Sequence, residues 1–453
     1  MRRVVKVSRI RIIITIIVVV LTTLLTGCTG KEPNEIAYVV ALGIDSTDDD
    51  NYKITIQYAN TTQISGGASE SGGKAGSEIV DNVTIEAPNI YAGVGLANNI
   101  VSKSFSMSHA KLIVFSKEIA EKGVKDKIET LVRSEEIRPD VFIAVANTTA
   151  NDYLTSVNPE MEVNPAQYYQ LIYQKNQLVG IPDGQLREFF TGLYTDNYDS
   201  ILPVAGVIEG ADGNSQNDDK GQSKDSQNEG SEGSSESLDS FESKNSDENE
   251  KEKDAEKNTS KYEYDIKNYV GGETAIEKKN KAEAIGAAVF EKDKMVGELG
   301  EVETEICKML KGDYTYSYLT YYNNDTPDIP ITVKTTQQKK PKYKIDTDKK
   351  TVDIELYIES DLYSLPADYN VENKIEDFER DVANYTSSAC TEFINNFTKK
   401  YNSDILKLNE KVKYKFLTNN QYNWFKKNVG WSEYKFSVCT NFKVRRTGLI
   451  VRE

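Results

Sequence analysis

Few side chains in this chain of 453 residues could carry out catalysis. His109 is its one histidine, so a site built from several histidines is excluded, and a Ser–His–Asp or Cys–His device would have to use this residue. His109 precedes a predicted strand with Lys111 nearby, which favours a structural hydrogen-bonding role. The Gly-rich residues 66–75 depart from a phosphate-binding loop, because alanine follows their lysine where Ser or Thr is required. We therefore predict no enzymatic activity, no metal and no cofactor.

Cys28 is the residue whose surroundings best fit a covalent modification. Several basic residues lie near the amino terminus, and an apolar stretch interrupted only by threonine runs from Ile12 to Leu25. This stretch is shorter than the roughly 20 residues of a spanning helix and is typical of a signal-peptide core. The order resembles a bacterial lipoprotein signal, in which the Cys28 thiol receives a diacylglycerol and the cysteine becomes the mature amino terminus. An ordinary signal peptide or a short membrane anchor with a chance cysteine is the alternative.

The other three cysteines are Cys307, Cys390 and Cys439. Their odd number and the lack of a short metal-type spacing argue against a disulfide framework. One bridge among them is compatible with the sequence, but no pairing can be inferred. We predict that all three are small, buried apolar residues.

The net charge of −16 argues against nucleic-acid binding, because a protein that binds phosphates neutralises them with lysine and arginine. Much of this charge is local: residues 209–260 contain sixteen acidic and six basic side chains. Large apolar residues are almost absent from this stretch, so it cannot bury enough surface to offset its ordering entropy. We predict a disordered acidic insert.

The N-terminal half alternates between strand-like and helix-like patterns, which predicts an α/β domain with a mixed sheet. Strands are predicted at 35–45, 52–60, 110–115, 140–146 and 201–208; helices are predicted at 89–103, 117–133 and 150–156, from Pro165 and from Leu186.

The C-terminal half reads as α+β. Two strands joined by a tight turn precede a helix near 301–310, three further strand-like stretches follow, and a long helix is predicted from about 373 to 401. The last predicted element is an alternating strand at 434–450. Many of the 27 tyrosines alternate along strands, as in residues 314–322, which indicates half-buried sheet packing; a carbohydrate- or partner-binding face is the alternative.

Arg445 and Arg446 end the alternating run of the terminal strand. Their guanidinium groups would suit the carboxylates of a partner protein or lipid phosphates. Alternatively, they solvate an edge strand and keep it from pairing with another chain. Both interpretations remain open at this point.

Four stretches, in this order behind the Cys28 signal, resemble the C subunits of spore-germinant receptors, the Ger(x)C lipoprotein family: EIAYVVALGID (35–45), residues 108–145, AIGAAVFEKDKMVGEL (284–299) and NFKVRRTGLI (441–450). The resemblance implies a lipid-anchored subunit on the outer face of the spore inner membrane. It also implies two integral-membrane partners, the A- and B-type receptor subunits, one of them similar to an amino-acid permease. Three mixed α/β domains without a recognised active site are implied as well. The acidic insert is longer than the family leads us to expect.

We therefore expect a multi-domain ectodomain of mixed α/β and α+β class, with mixed sheets, and with a long helix and a terminal strand in its C-terminal half. Its expected role is non-enzymatic assembly or signal coupling in spore germination. A lipoprotein solute-binding protein is the alternative function, but it would require two similar lobes around a cleft; an envelope enzyme is a third option. The predicted segments are a signal peptide (1–27), a lipidated tether (28–34), an α/β domain (35–208), the acidic insert or linker (209–281), a small middle region (282–330) and an α+β domain (331–453).

Overall fold

A computed structural model of the chain describes residues 13–18, 35–49, 51–59, 80–158, 162, 164–174, 180–195, 197–208, 268–274, 280–322, 330–364, 374–401 and 403–447. Residues 13–18, within the predicted signal peptide, are helical. Cys28, the tether and most of the acidic insert lie outside the described residues. The end of the predicted linker is described, and there Gly271 N–H donates to the carbonyl of Ile285 (2.9 Å).

The first sheet has nine strands in the order β3-β2-β1-β5-β6-β7-β8-β9, with β4 paired to β1. Strands β1, β5, β6 and β7 are mutually parallel, and the flanking strands pair antiparallel. The strands are β1 Ile36–Ser46, β2 Tyr52–Ala59, β3 Val80–Ala87, β4 Ser104–Ser106, β5 Leu112–Ser116, β6 Phe142–Ala146, β7 Ile201–Val207, β8 Ala282–Glu291 and β9 Lys294–Leu299.

Helices cover both faces of this sheet, which is why β5 (LIVFS) and β6 (FIAVA) are buried along their whole length. One face packs against α1, α2, α3 and α6, and the other against α4 and α5. The helices are α1 Ile90–Ala97, α2 Lys117–Lys122, α3 Lys125–Val132, α4 Ala150–Ser156, α5 Pro165–Gln174 and α6 Leu186–Thr195. The mixed α/β class predicted for this half is confirmed.

The single helix predicted at 117–133 is wrong, because α2 and α3 are separated at Gly123. This glycine has a φ of 120°, outside the helical region, and the next residue, Val124, donates its N–H to the carbonyl of Asp293 (2.9 Å). A Cβ at position 123 would lie 2.7 Å from an Asp293 carboxylate oxygen. Contact with the β8–β9 turn therefore interrupts the helix.

The helix predicted at 89–103 ends early, at Ala97. Its N-cap is Asn89, whose side chain accepts the N–H of Ala92 (2.9 Å). Beyond the helix, Asn98 uses its side chain to accept the N–H of Phe105 (2.8 Å), and residues Ser104–Ser106 pair with β1 as β4. The helical spacing of apolar residues continues to Val101, four residues beyond the end of the helix, so the spacing alone predicts too long a helix.

The second sheet has the order β10-β11-β13-β12, with β14 paired parallel to β13. Its strands alternate between buried and more exposed residues. The strands are β10 Tyr316–Tyr322, β11 Pro330–Gln337, β12 Lys342–Asp346, β13 Thr351–Ser364 and β14 Lys435–Arg446; the helices of this half are α7 Glu301–Lys311, α8 Ile375–Lys400, α9 Leu408–Val412 and α10 Asn419–Asn428.

Helix α8 is the long helix predicted for this half, and it buries its apolar stripe against the second sheet. Phe378 and Val382 pack with residues of β11 and β13, whereas Phe393 and Phe397 pack in a core that also receives side chains from β8 and β9. The hairpin of residues 282–299 thus extends the first sheet and also contributes to the core beneath α8.

Candidate interaction surface on the terminal strand

Strand β14 has β13 on one side, and its other side faces α8. Along the strand, even-numbered residues from Phe436 to Phe442 are buried and odd-numbered residues from Lys435 to Arg445 are exposed. The apolar even positions therefore pack in the core, while the odd positions form a polar surface. This surface carries Arg445, one of the two arginines singled out in the sequence, and the other, Arg446, is the exposed last residue of the strand.

Side chains of α8 accept hydrogen bonds from the backbone of β14 along its free edge. The Phe436 N–H donates to Asn395 Oδ1 (3.1 Å), Val438 N–H to Thr391 Oγ1 (3.0 Å), Thr440 N–H to Ser387 Oγ (2.9 Å) and Val444 N–H to Glu379 Oε1 (2.9 Å). Four helical residues advance about 6 Å, and two strand residues advance about 6.6 Å. Helix and strand can therefore stay in register over this whole length.

Asn395 makes two hydrogen bonds to the strand, because its side-chain amide pairs with both the N–H and the carbonyl of Phe436. Its Nδ2 donates to the Phe436 carbonyl (3.0 Å) while its Oδ1 accepts the Phe436 N–H (3.1 Å). The side-chain amide thus takes the place of a neighbouring strand. Exposed strand edges are sites of unwanted pairing between chains, and this arrangement occupies one of them.

Glu379 binds the other end of the strand. This buried carboxylate accepts from the Val444 N–H (2.9 Å) and from Lys443 Nζ (2.5 Å), and the interaction raises the pKa of Lys443. Polar residues at 387, 391 and 395 repeat every four positions along α8. This repeat does not by itself predict contacts with β14, because it indicates a strand partner only when the register of helix and strand is known.

The structure separates the roles of the two arginines. Arg445 donates to Glu359 of β13, and this carboxylate raises the pKa of the arginine, whose side chain is nevertheless 64% exposed. Arg446 lies exposed at the last position of β14, opposite Asp361 in the strand register. Arg445 therefore already has a carboxylate partner within the chain, and Arg446 lies at the exposed end of the strand.

A polar cleft of about 480 Å³ lies between the first sheet and the loop that precedes α9. Asp199 accepts the N–H groups of Lys292 and Asp404 (both 2.8 Å), and Asp404 accepts those of Leu408 and Asn409 (both 2.8 Å). Burial raises the pKa of Asp404 to about 7. These carboxylates are committed to backbone groups, so their geometry is that of loop anchors.

His109 lies in a short 3₁₀ turn before β5, where it is exposed. Its Nδ1 is 3.0 Å from Ser108 Oγ, and its ring meets the edge of the Tyr38 ring at 4.9 Å. Within the described part of the chain, no group of three or more His, Cys, Asp or Glu side chains could hold a metal ion. The environment of His109 is that of a surface packing residue.

The cysteines divide into two kinds. Cys307 and Cys390 are buried free thiols, and burial raises the pKa of each to about 12. Cys439 is also a free thiol, but it is exposed, so the prediction that all three are buried is wrong for this residue. It occupies an odd position of β14, on the solvent side of the strand.

The tyrosines of β10 also divide. Tyr314, just before the strand, is buried, whereas Tyr318 is 53% exposed and meets Tyr363 edge-to-face at 5.4 Å.

Among the helices that the structure describes, none is long and apolar enough to cross a bilayer.

Comparisons with known proteins match both halves of the chain. The family model described as "Spore germination protein N-terminal domain" matches residues 30–207, and that described as "Spore germination B3/ GerAC like, C-terminal" matches residues 285–448.

Two similar proteins are from Bacillus subtilis (strain 168). Spore germination protein KC is 26% identical over 174 residues, which cover 35% of this chain and 42% of that protein. Putative spore germination protein YfkR is 28% identical over 145 residues, which cover 32% and 37%, respectively. These alignments thus span less than half of either relative. The crystal structure of the GerBC protein matches with a TM-score of 0.48 and 15% identity, over 89% of this chain and 96% of that one.

Proposed function

The chain belongs to the GerAC family of spore germination proteins, and from this premise we propose that it is the lipid-anchored C subunit of a nutrient germinant receptor. In this role it lies on the outer face of the spore inner membrane beside the A- and B-type integral-membrane subunits. The observation that carries the proposal is the match of both family models, in order, over residues 30–207 and 285–448.

We propose further that the subunit acts through its surfaces and not through a reaction. The half-buried carboxylate of Asp199 and the buried carboxylate of Asp404 bind backbone N–H groups, and His109 lies exposed at the surface. A rigid body docked on membrane subunits can bias their conformational equilibrium if it binds one state more tightly than the other. Such coupling needs a complementary surface but no nucleophile.

Cys28→Ala tests the anchor. The variant should leave the membrane fraction, or remain unprocessed, and should not incorporate radiolabelled palmitate. Cys439→Ala is the matched control, because it removes an exposed thiol from the folded body and should change neither property. A wild-type chain that incorporates no label, or a Cys28→Ala chain that still incorporates it, would refute a lipid anchor at Cys28.

The exposed end of β14 is the proposed contact with the membrane subunits. Arg445→Glu/Arg446→Glu should reduce co-purification with the A and B subunits and slow nutrient-triggered germination. Because Arg445 is paired with Glu359, Arg446→Glu alone should produce most of the loss. Lys435→Glu reverses an exposed charge at the other end of the same strand and serves as the control. If the folded double variant co-purifies as well as the wild-type chain, the arginines do not bind the membrane subunits and serve only to solvate the end of the strand.

Germination itself is the broader test. Deleting the gene should abolish the response to at least one nutrient, and restoring the wild-type chain should recover it. A His109→Ala chain should recover it equally well. The solute-binding alternative has no support from the matched families or relatives. It would predict nutrient uptake defects in growing cells, with normal germination.

A further inference from the structure

One short segment of the C-terminal half exposes three large apolar side chains. Leu417 is 95% exposed, Tyr414 80% and Trp424 64%; we call these three residues the tip. Leu417 and Trp424 line the same shallow surface depression, so they are neighbours in space. Contiguous exposed apolar side chains mark interaction sites more often than scattered ones do.

The fold holds the tip outward on a well-packed base. Phe416 places its ring 4.9 Å from Phe425 and 5.9 Å from Tyr422, and Thr418 caps α10 by accepting the N–H of Gln421 (3.3 Å). A residue in the position of Leu417, just before the N-cap, commonly packs onto the first turn of the helix. Here Phe416 packs against that turn, and Leu417 is left in solvent.

The segment that carries the tip has a positive net charge. Residues 411–428 contain five lysines and no acidic residue, within a chain whose net charge is −16. Lys413, Lys415 and Lys427 are exposed. A local cationic segment in an acidic protein is complementary to an anionic surface.

Helix α10, which carries Trp424 of the tip, lies at a defined end of the first sheet. Tyr422 Oη donates to Asn197 (3.1 Å) and Lys426 Nζ to the Thr195 carbonyl (3.3 Å), so α10 rests against the residues that precede β7. Because β1 and β7 are parallel within one sheet, both run from the same edge, and their axes lie about 14 Å apart across three strand spacings. The chain therefore enters β1 from the end of the sheet at which α10 lies.

We propose that the tip inserts into the interface of an anionic lipid bilayer, as a second membrane contact beside the amino-terminal anchor. Tryptophan, tyrosine and lysine are the side chains enriched at bilayer interfaces, and lysine stems can extend towards the headgroups. A lipid chain and a cationic apolar patch together give firmer binding than one chain alone. The inference rests on the membrane location proposed above and adds an orientation: the start of β1 and α10 both face the lipid.

Tryptophan fluorescence tests the contact directly. The full chain, isolated from membranes, is reconstituted into vesicles of phosphatidylcholine with or without phosphatidylglycerol, some carrying brominated acyl chains that quench nearby indoles. The chain has two tryptophans, and Trp431 is buried. We expect quenching on anionic vesicles, loss of that quenching in Trp424→Phe, and a fall to the neutral-vesicle level in Lys413→Gln/Lys427→Gln.

Leu417→Asp should also remove the quenching without changing the circular dichroism, because the side chain is almost fully exposed. Tyr318→Asp, which alters an exposed aromatic residue of the second sheet, should leave the quenching intact. Unquenched Trp424 in chains that float with anionic vesicles would overturn the proposal. If Trp424 is unquenched and the Leu417→Asp chain also fails to co-purify with the A and B subunits, the tip binds a protein partner instead. A wild-type chain without acylation at Cys28 but with quenched Trp424 would refute the anchor and leave the tip proposal standing.

Discussion

Replacing Asn395 by alanine should open the terminal strand β14 at its free edge. The substitution removes both hydrogen bonds that the side-chain amide makes to Phe436, one to its N–H (3.1 Å) and one to its carbonyl (3.0 Å). Each such bond stabilises a protein by about 1 kcal/mol net, so local opening of the strand should become about 2 kcal/mol easier. Exchange of the β14 amide hydrogens, where it occurs through local opening, should then be about 30-fold faster.

Hydrogen–deuterium exchange of peptides covering 435–446, read by mass spectrometry, measures this effect. Thr391→Val removes a single bond, to the Val438 N–H, and should speed exchange only about fivefold. Asn396→Ala is the matched control, since this asparagine is the next residue of α8 and is exposed. Size-exclusion chromatography should also show self-association of the Asn395→Ala chain as its edge becomes available for pairing. Equal exchange in the Asn395→Ala and Asn396→Ala chains would refute the view that α8 protects this edge.

Three further predictions concern other parts of the chain. Burial raises the pKa of Glu305 to about 7, so the folded chain binds more protons than the unfolded chain between about pH 4.5 and 7. The contribution of Glu305 to stability is therefore full at low pH and is lost as the pH rises through this range. Glu305→Gln should flatten the pH dependence of the denaturation midpoint. An unchanged pH dependence in this variant would contradict the raised pKa of Glu305. Gly123→Ala should destabilise the chain by about 1–2 kcal/mol in urea unfolding, because the φ of 120° and the contact with Asp293 both disfavour a side chain. Gly95→Ala, where a Cβ meets nothing within 4 Å, should be neutral or stabilising, and equal costs at both positions would contradict the argument. Limited proteolysis should cut first within residues 209–261, and deleting them should change the melting temperature little; a large loss of stability would show that the insert packs.

The strands of the first sheet could be predicted because burial on both faces leaves a plain mark in the sequence. Residues 112–116 and 142–146 are apolar almost throughout, as expected for central parallel strands beneath helices on both sides. The break at Gly123 could not be placed in the same way. It depends on a contact with Asp293, which is far away in the chain and close only after β8 and β9 have joined the sheet.

The terminal strand shows a different balance. Its alternation predicted the strand and also contained the position of Cys439, since Phe436, Val438 and Phe442 fix the buried phase and leave the cysteine on the outer face. The same alternation therefore predicts an exposed Cys439. The contacts from α8 were not available, because polar residues on a helix indicate a strand partner only when the register between helix and strand is known.

The parallel pairing of β13 with β14 also sets the order of events during synthesis. In the sequence, β13 and β14 are separated by the whole of α8 and by the residues that follow it. Strand β14 supplies Phe436, Val438 and Phe442 to the cores beneath α8. Domains generally fold as their residues leave the ribosome, amino-terminal part first. The first sheet can therefore form while translation continues, but the second can be completed only after residue 446 has emerged. A nascent chain that stops before Lys435 would lack the strand that lies between β13 and α8. The apolar residues beneath α8 would then stay partly exposed, and such a chain should be a substrate for quality-control proteases.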